Sequence, residues 1–198
     1  MKRAVKPELL DELPPENPRA VHSRRDLQRI NWWMRNHGIM TNALKENYSG
    51  TPKQIVEIGA GDGNFLLGVA KRTNWKNVNA ILLDQQKIIS PETFSAFSKI
   101  NWRAETIVAD IFDWDETARE DARPTDIVIA NLFLHHFEDL KLKQLLQKIS
   151  KRAKLFIAVE THRFAFPFLC AQLLRFIGCN KVTLHDAEAS IRAGFVRG

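Results

Sequence analysis

The chain carries only two cysteines, Cys170 and Cys179, in 198 residues. No further Cys or His stands near them at ligand spacing, so they form neither a zinc site nor a disulfide framework, and no metal site is expected. A reducing, cytoplasmic setting is the simplest reading. A long apolar run is also missing. The longest, Phe164 to Gly178, is interrupted by Pro167, Gln172 and Arg175 and is too short to span a bilayer. No secretory signal is expected, because Met1-Lys2-Arg3 is followed by an acidic, proline-rich stretch from Pro7 to Pro18 where an apolar one would be needed. The charge balance is not extreme: a net +6 permits an acidic or nucleic-acid partner without demanding one. There is no internal repeat and no low-complexity tract. What remains is an ordinary mixture, 44% hydrophobic and 26% charged, long enough for one α/β domain with a substantial core.

Along the chain, residues up to about Asn17 read as an irregular leader, with Pro7, Pro14 and Pro15 opposing helix. From Pro18 to Asn36 a loose helical stripe runs through Val21, Leu27, Ile30, Trp33 and Met34, with Trp32 and Trp33 expected to staple onto the core. His37-Gly38 is the expected end of that helix, and a second helix is expected over Met40 to Asn47. Residues 1–50 are thus taken as an arm with helices that cover an active site, and 51–198 as the main domain. From Gln54 onward apolar runs alternate with helical segments. Strands are expected over Gln54–Ile58, Asn79–Leu83, Ala104–Val108, Asp126–Ala130 and Leu155–Val159. Helices are expected over Asn64–Thr73, Pro91–Lys99 and Leu140–Lys151. This alternation predicts a doubly wound, mainly parallel sheet with helices on both faces. Ligands of such sheets bind beyond the carboxyl ends of the strands.

The first strand ends in Glu57-Ile58-Gly59-Ala60-Gly61-Asp62-Gly63, where alternate glycines let backbone line a ligand site. The second ends in Asp84-Gln85, an acidic position suited to ribose hydroxyls. The third ends in Asp110-Ile111-Phe112, a carboxylate for an exocyclic amine beside an apolar cover for a base. The fourth ends in Asn131-Leu132-Phe133-Leu134-His135-His136-Phe137, facing the reactive end. A dinucleotide fingerprint needs Gly or Ala where Asn64 stands, and a phosphate-binding loop needs a Lys-Ser/Thr ending that is absent. Glu57 and Asp62 flank the loop with negative charge. They oppose a pyrophosphate and suit a ligand bearing an ammonium and a sulfonium, which favours S-adenosylmethionine over NAD or ATP.

From Lys53 to Glu160 this set of motifs resembles the class I S-adenosylmethionine-dependent methyltransferases. The resemblance implies a Rossmann-like fold, S-adenosyl-L-methionine as cofactor, and cofactor contacts from Gly59, Gly61, Asp84, Asp110, Ile111 and Asn131. Ala60, Gly63 and Gln85 beside them are expected to join these contacts, and Glu57 either does so or holds the loop by accepting backbone N–H bonds. Segments at both ends, Asp11 to Ala20 and His185 to Phe195, resemble small bacterial methyltransferases. The family's sheet usually has seven strands, the last two an antiparallel hairpin. Five are counted here, so the hairpin is expected to be missing, through truncation or a naturally shortened protein, leaving Leu155–Val159 as an edge strand that is exposed or covered by a partner.

The expected activity is methyl transfer to a small-molecule acceptor, with a hydroxyl oxygen as the expected atom. Such a displacement mainly needs alignment, and a base only where the acceptor carries a proton of high pKa. His135 and His136 are the imidazoles at that strand end; the alternative has one packing against the following helix and the other at the surface. Arg24, His185 and Arg192 are candidate substrate contacts, and Phe164, Phe166, Phe168 and Phe176 could wall an apolar pocket. RNA or protein methylation, or a cofactor-binding inactive partner subunit, are the alternative readings. Against nucleic acid, no Asn/Asp-Pro-Pro-aromatic motif follows the fourth strand. A homodimer is left open.

Overall fold

A computed structural model of the chain describes residues 3–114, 125–163 and 178–196. The Phe164–Phe176 wall and Cys170 lie outside the described residues. Five strands, β1 (Gln54–Ile58), β2 (Val78–Asp84), β3 (Trp102–Val108), β4 (Thr125–Asn131) and β5 (Ala153–Val159), form one sheet in the order β3-β2-β1-β4-β5. Every pairing is parallel. The expected strands are therefore all present, each at most two residues longer at either end. Among the described residues the sheet has no antiparallel pair, and β5 is an edge strand.

Because side chains alternate along a strand, each central strand feeds two cores. Ile55 of β1 faces one apolar cluster with Met40 and Leu44 of α3 (Asn36–Asn47), Leu66 and Val69 of α4 (Asn64–Thr73), and Phe97 of α5 (Pro91–Lys99). Val56 and Ile58 face the other, with Leu145 and Ile149 of α6 (Asp139–Ser150). Helices thus cover both faces, as the alternation predicts. The helix starts have local causes. Ser90 accepts from the Thr93 N–H and Pro91 occupies the first turn of α5, while Asn17 and Pro18 do the same for α2 (Pro18–Trp33). The last described helix, α7 (Lys181–Ala193), is capped by Asn180, which accepts from the Thr183 N–H at 2.9 Å.

The amino-terminal segment departs from expectation in three ways. The leader contains a short helix, α1 (Leu9–Glu12). The break between α2 and α3 falls at Arg35, which adopts a left-handed conformation (φ 58°), and not at Gly38, which lies inside α3. The apolar stripe of α2 is also not its buried face. Ala20, Ser23 and Asp26 are buried, whereas Trp32 and Trp33 are 66% and 49% exposed. The reason is a polar dock: Asp26 accepts from the Asn180 N–H at 2.9 Å and the Thr183 hydroxyl at 2.9 Å. The buried carboxylate, not hydrophobicity, decides how α2 turns toward α7.

The entry edge of the sheet is held by Asp126. Its carboxylate accepts from the backbone N–H of Lys53 (2.7 Å) and Gln54 (3.3 Å) and from Lys154 Nζ (2.7 Å), joining the starts of β1, β4 and β5. Burial pushes its pKa up, but the Lys154 hydrogen bond and the two backbone donors outweigh this and hold it below the usual carboxylate range. Asp126→Ala should cost about 1–3 kcal/mol by urea unfolding near neutral pH. A depressed folded pKa means stability present above the unfolded value of about 3.9 and lost as pH falls through the lower folded one, so the difference between wild type and variant should shrink in acid.

Candidate active site

The loop after β1 turns left-handed at Gly59 (φ 66°), Gly61 (φ 54°) and Gly63 (φ 73°). The first two serve different ends. A Cβ on Gly59 would lie 2.2 Å from Phe133 Cδ2, so this glycine makes room for the ring that follows β4. A Cβ on Gly61 would meet nothing within 4 Å, so its backbone faces open space. Gly61 is the point at which a ligand can approach the chain closely. Ala60 is buried beneath the loop and donates its N–H to Leu83 O at 3.1 Å, anchoring the turn to β2.

Asp84, at the end of β2, accepts from the Gly61 N–H at 2.8 Å and from the Gln86 N–H at 2.8 Å. It therefore holds the shape of the glycine loop whatever else it binds. Gln85 donates to Asp110 Oδ2 at 2.8 Å, and the Phe112 N–H donates to Asp110 Oδ1 at 2.8 Å, linking the ends of β2 and β3. Ile111 packs in the second apolar core. Glu57 is buried, with one carboxylate oxygen unpartnered. Burial, reinforced by the charges of Asp62 and Asp84, pushes its carboxyl well above the usual range. The charges of Asp62 and Asp84 beside the loop repel a pyrophosphate and attract a positively charged ligand, while the buried Glu57 favours its neutral form. Asp84 and Asp110 both lie at this edge, each held by two hydrogen bonds. The residues present thus fit a cationic nucleoside such as S-adenosylmethionine.

Asn131, at the end of β4, lies across the sheet's change of strand order from β1. It donates to Asn31 Oδ1 at 3.1 Å and accepts from Asn36 Nδ2 at 3.3 Å, while Asn36 also donates to Asn31 at 2.8 Å. Gln28 Nε2 donates to Asp62 Oδ2 at 2.6 Å. These bonds lay α2 and the start of α3 along the cofactor edge of the sheet.

His135 and His136 occupy a short 3₁₀ turn, Leu134–His136. His135 is 2% exposed, with Nδ1 2.8 Å from Glu160 Oε2 and Nε2 3.2 Å from Glu8 Oε1. Glu160 is itself fixed by the N–H groups of Phe133 (2.8 Å) and Leu134 (2.6 Å). Desolvation lowers the His135 pKa, but the two carboxylates more than reverse this and raise it to about 9. With Nδ1 turned to Glu160 and Nε2 to Glu8, His135 presents neither ring nitrogen to a substrate, a geometry that stands against the base role expected from sequence. His136 stacks on His135 at 4.5 Å between ring centroids and is the more accessible of the two.

Each candidate substrate residue has a protein partner of its own. Arg24 donates to the Pro15 carbonyl and so holds the leader. His185 pairs with Asp186 at 2.9 Å, and Arg192 pairs with Glu188 at 2.8 Å on an exposed face of α7. Sequence reasoning passed over Glu8 and Glu160. Neither lies in a motif, and only the fold brings Glu8 to a histidine 127 residues away.

The two glycines separate fold from binding. Gly59→Ala should lower the melting temperature, because the Phe133 ring must move. Gly61→Ala meets no atom and should lose only about 1–2 kcal/mol to its left-handed backbone. Its affinity for S-adenosylhomocysteine should nevertheless fall at least tenfold, which isothermal titration calorimetry on both variants would measure.

The family model described as "methyltransferase domain" matches residues 36–179. A search of curated protein sequences gave no significant match. Among solved structures, the plantazolicin methyltransferase BpumL in complex with S-adenosylhomocysteine is similar, with TM-score 0.59 and 17% identity over 91% of this chain and 66% of that one. The plantazolicin methyltransferase BamL, also with S-adenosylhomocysteine, gives TM-score 0.60 and 13% identity over 92% of this chain and 65% of that one. An O-methyltransferase family protein from Burkholderia thailandensis gives TM-score 0.53 and 13% identity over 92% and 51%. The chain therefore spans less than two thirds of the length of these similar structures, and identities this low speak for the fold alone. The match over residues 36–179, on a five-stranded parallel sheet with its glycine loop and acidic strand ends, places the chain in the methyltransferase-domain family, among the class I S-adenosylmethionine-dependent methyltransferases.

Proposed function

We propose that this chain transfers a methyl group from S-adenosylmethionine to the hydroxyl oxygen of a small-molecule acceptor. The observation that carries the reading is Gly61, which presents bare backbone to open space while its N–H is held by Asp84. In this reading Gly59–Gly63 cradle the amino-acid end of the cofactor, Asp84 takes the ribose hydroxyls, and Asp110 takes the adenine amine. Glu57, behind the loop, offers its unpartnered carboxyl oxygen as an acceptor for the cofactor's ammonium, whose charge would favour the ionised form. The cofactor supplies an electrophilic methyl on a leaving group that needs no acid. The protein's task is then to align the acceptor and exclude water.

Residues 1–50 act as the cover and 51–198 as the cofactor-binding unit. Gln28, Asn31 and Asn36 reach the loop and Asn131 from the cover. Phe133, stacked against Gly59 and 6.1 Å from the His136 ring, marks the acceptor side and favours an apolar or aromatic body on the substrate. No described helix is long and apolar enough to cross a membrane. A cytoplasmic setting belongs to this same reading.

Incubation with methyl-labelled S-adenosylmethionine and a panel of hydroxylated aromatic and lipid-like compounds should transfer label to at least one of them. Asp84→Ala removes two backbone hydrogen bonds to a charged group, about 1.5–3 kcal/mol each, and should lower cofactor affinity at least tenfold. Label entering RNA or polypeptide instead, with affinity falling steeply as salt rises for RNA, would replace the small-molecule acceptor. Cofactor binding without turnover on any acceptor would favour the inactive-partner alternative.

A further inference from the structure

We propose that Glu8, His135 and His136 form a binding site for a divalent first-row transition cation. One ligand atom from each of the three residues lies within 4.8 Å of the others. Two imidazoles and a carboxylate are the donor set that zinc, cobalt, nickel and iron prefer, whereas magnesium and calcium favour oxygen alone.

The orientation of the rings is the stronger argument. Both histidines turn Nδ1 toward a carboxylate outside the cluster and Nε2 toward the same Glu8. His135 Nδ1 is 2.8 Å from Glu160 and His136 Nδ1 is 3.4 Å from Asp11. The Glu160 hydrogen bond fixes the proton on His135 Nδ1 and leaves Nε2 as the ligating nitrogen, which is how metal-bound histidines are usually held, and the nearby Asp11 carboxylate favours the same arrangement in His136. Glu160 is itself pinned by two backbone N–H groups, so the His135 ring is set before anything binds. The Ser190 hydroxyl donates to Glu8 Oε1 and steadies the third ligand.

The spacing agrees with this arrangement. Ligand atoms about 2.0–2.2 Å from a shared ion stand about 3 to 4.4 Å apart, according to the angle between them. His135 Nε2 and Glu8 Oε1 are separated by 3.2 Å, and His136 Nε2 and Glu8 Oε2 by 4.0 Å. The second distance is too long for a hydrogen bond and within what a bridging cation spans. A bound cation would replace the hydrogen held between His135 Nε2 and Glu8. With three protein ligands, at least one coordination position stays open for water or a substrate oxygen. The site also ties the leader to the turn after β4, so binding should stabilise the closed cover. It differs from the expectation drawn from cysteine and histidine spacing because its carboxylate comes from the leader, far away in sequence.

The test uses the full chain stripped with EDTA and titrated with Co²⁺, then with Zn²⁺. One equivalent of Co²⁺ should raise visible d–d absorption, Zn²⁺ should abolish that absorption, and Zn²⁺ should raise the melting temperature. His136→Ala and Glu8→Gln should each weaken Co²⁺ binding at least tenfold. His22→Ala, on the exposed face of α2, should bind as wild type. Absence of cobalt absorption in the stripped wild-type chain would overturn the proposal. So would titrations of His136→Ala and Glu8→Gln that match wild type. Neither readout depends on methyl transfer, so the outcome stands apart from the proposed activity.

Discussion

The hydrogen bond from the Gly61 N–H to Asp84 is the contact on which the shape of the loop edge depends. A parallel sheet delivers the carboxyl ends of β1, β2, β3 and β4 to a single edge, but it leaves the loops there unspecified. Asp84 takes the loop after β1 and fastens it to the end of β2, while its other oxygen caps the turn at Gln86. The Gln85–Asp110 bond repeats the device one strand further out. The edge is therefore a row of carboxylates that already have backbone or amide partners, positioned before any ligand arrives. Preorganisation of this kind reduces the ordering cost of binding.

The second organising feature is charge pairing between the leader and the rest of the chain. Glu8 meets His135, the N–H groups of Leu9 and Leu10 meet Asp186 at 2.8 and 2.9 Å, and Arg3 reaches the carbonyl of Phe137 at 2.7 Å. Further along, Asp26 docks α2 on α7. These are polar contacts between segments distant in sequence, laid over a sheet whose own stability comes from two apolar cores. The division is physically sensible. The sheet gains from burial that is independent of the ligand, and the amino-terminal segment is held by bonds that can be remade with modest cost.

This division also explains what could be read from the sequence. The strands and the helices α4, α5 and α6 were legible because apolar periodicity is a local signal. The placing of the glycine loop, Asp84, Asp110 and Asn131 along one edge was legible because a parallel sheet brings the carboxyl ends of its strands together. The buried face of α2 was not, since its Ala20-Ser23-Asp26 side is held by a buried carboxylate that carries no hydrophobic signature. The break at Arg35 escaped for a similar reason: a non-glycine residue took the left-handed conformation while Gly38 stayed helical. His135 was found as a residue, but its environment was not, because Glu8 and Glu160 reach it only through the tertiary fold.

The central claim is that the edge formed by Gly59–Gly63, Asp84 and Asp110 holds S-adenosylmethionine. Backbone amide NMR of the chain titrated with S-adenosylhomocysteine tests it most directly. The account predicts saturable shifts concentrated at Gly61, Asp62, Asp84–Gln86, Asp110–Phe112 and Asn131. No shifts at saturating ligand, or shifts confined to residues away from these strand ends, would contradict it.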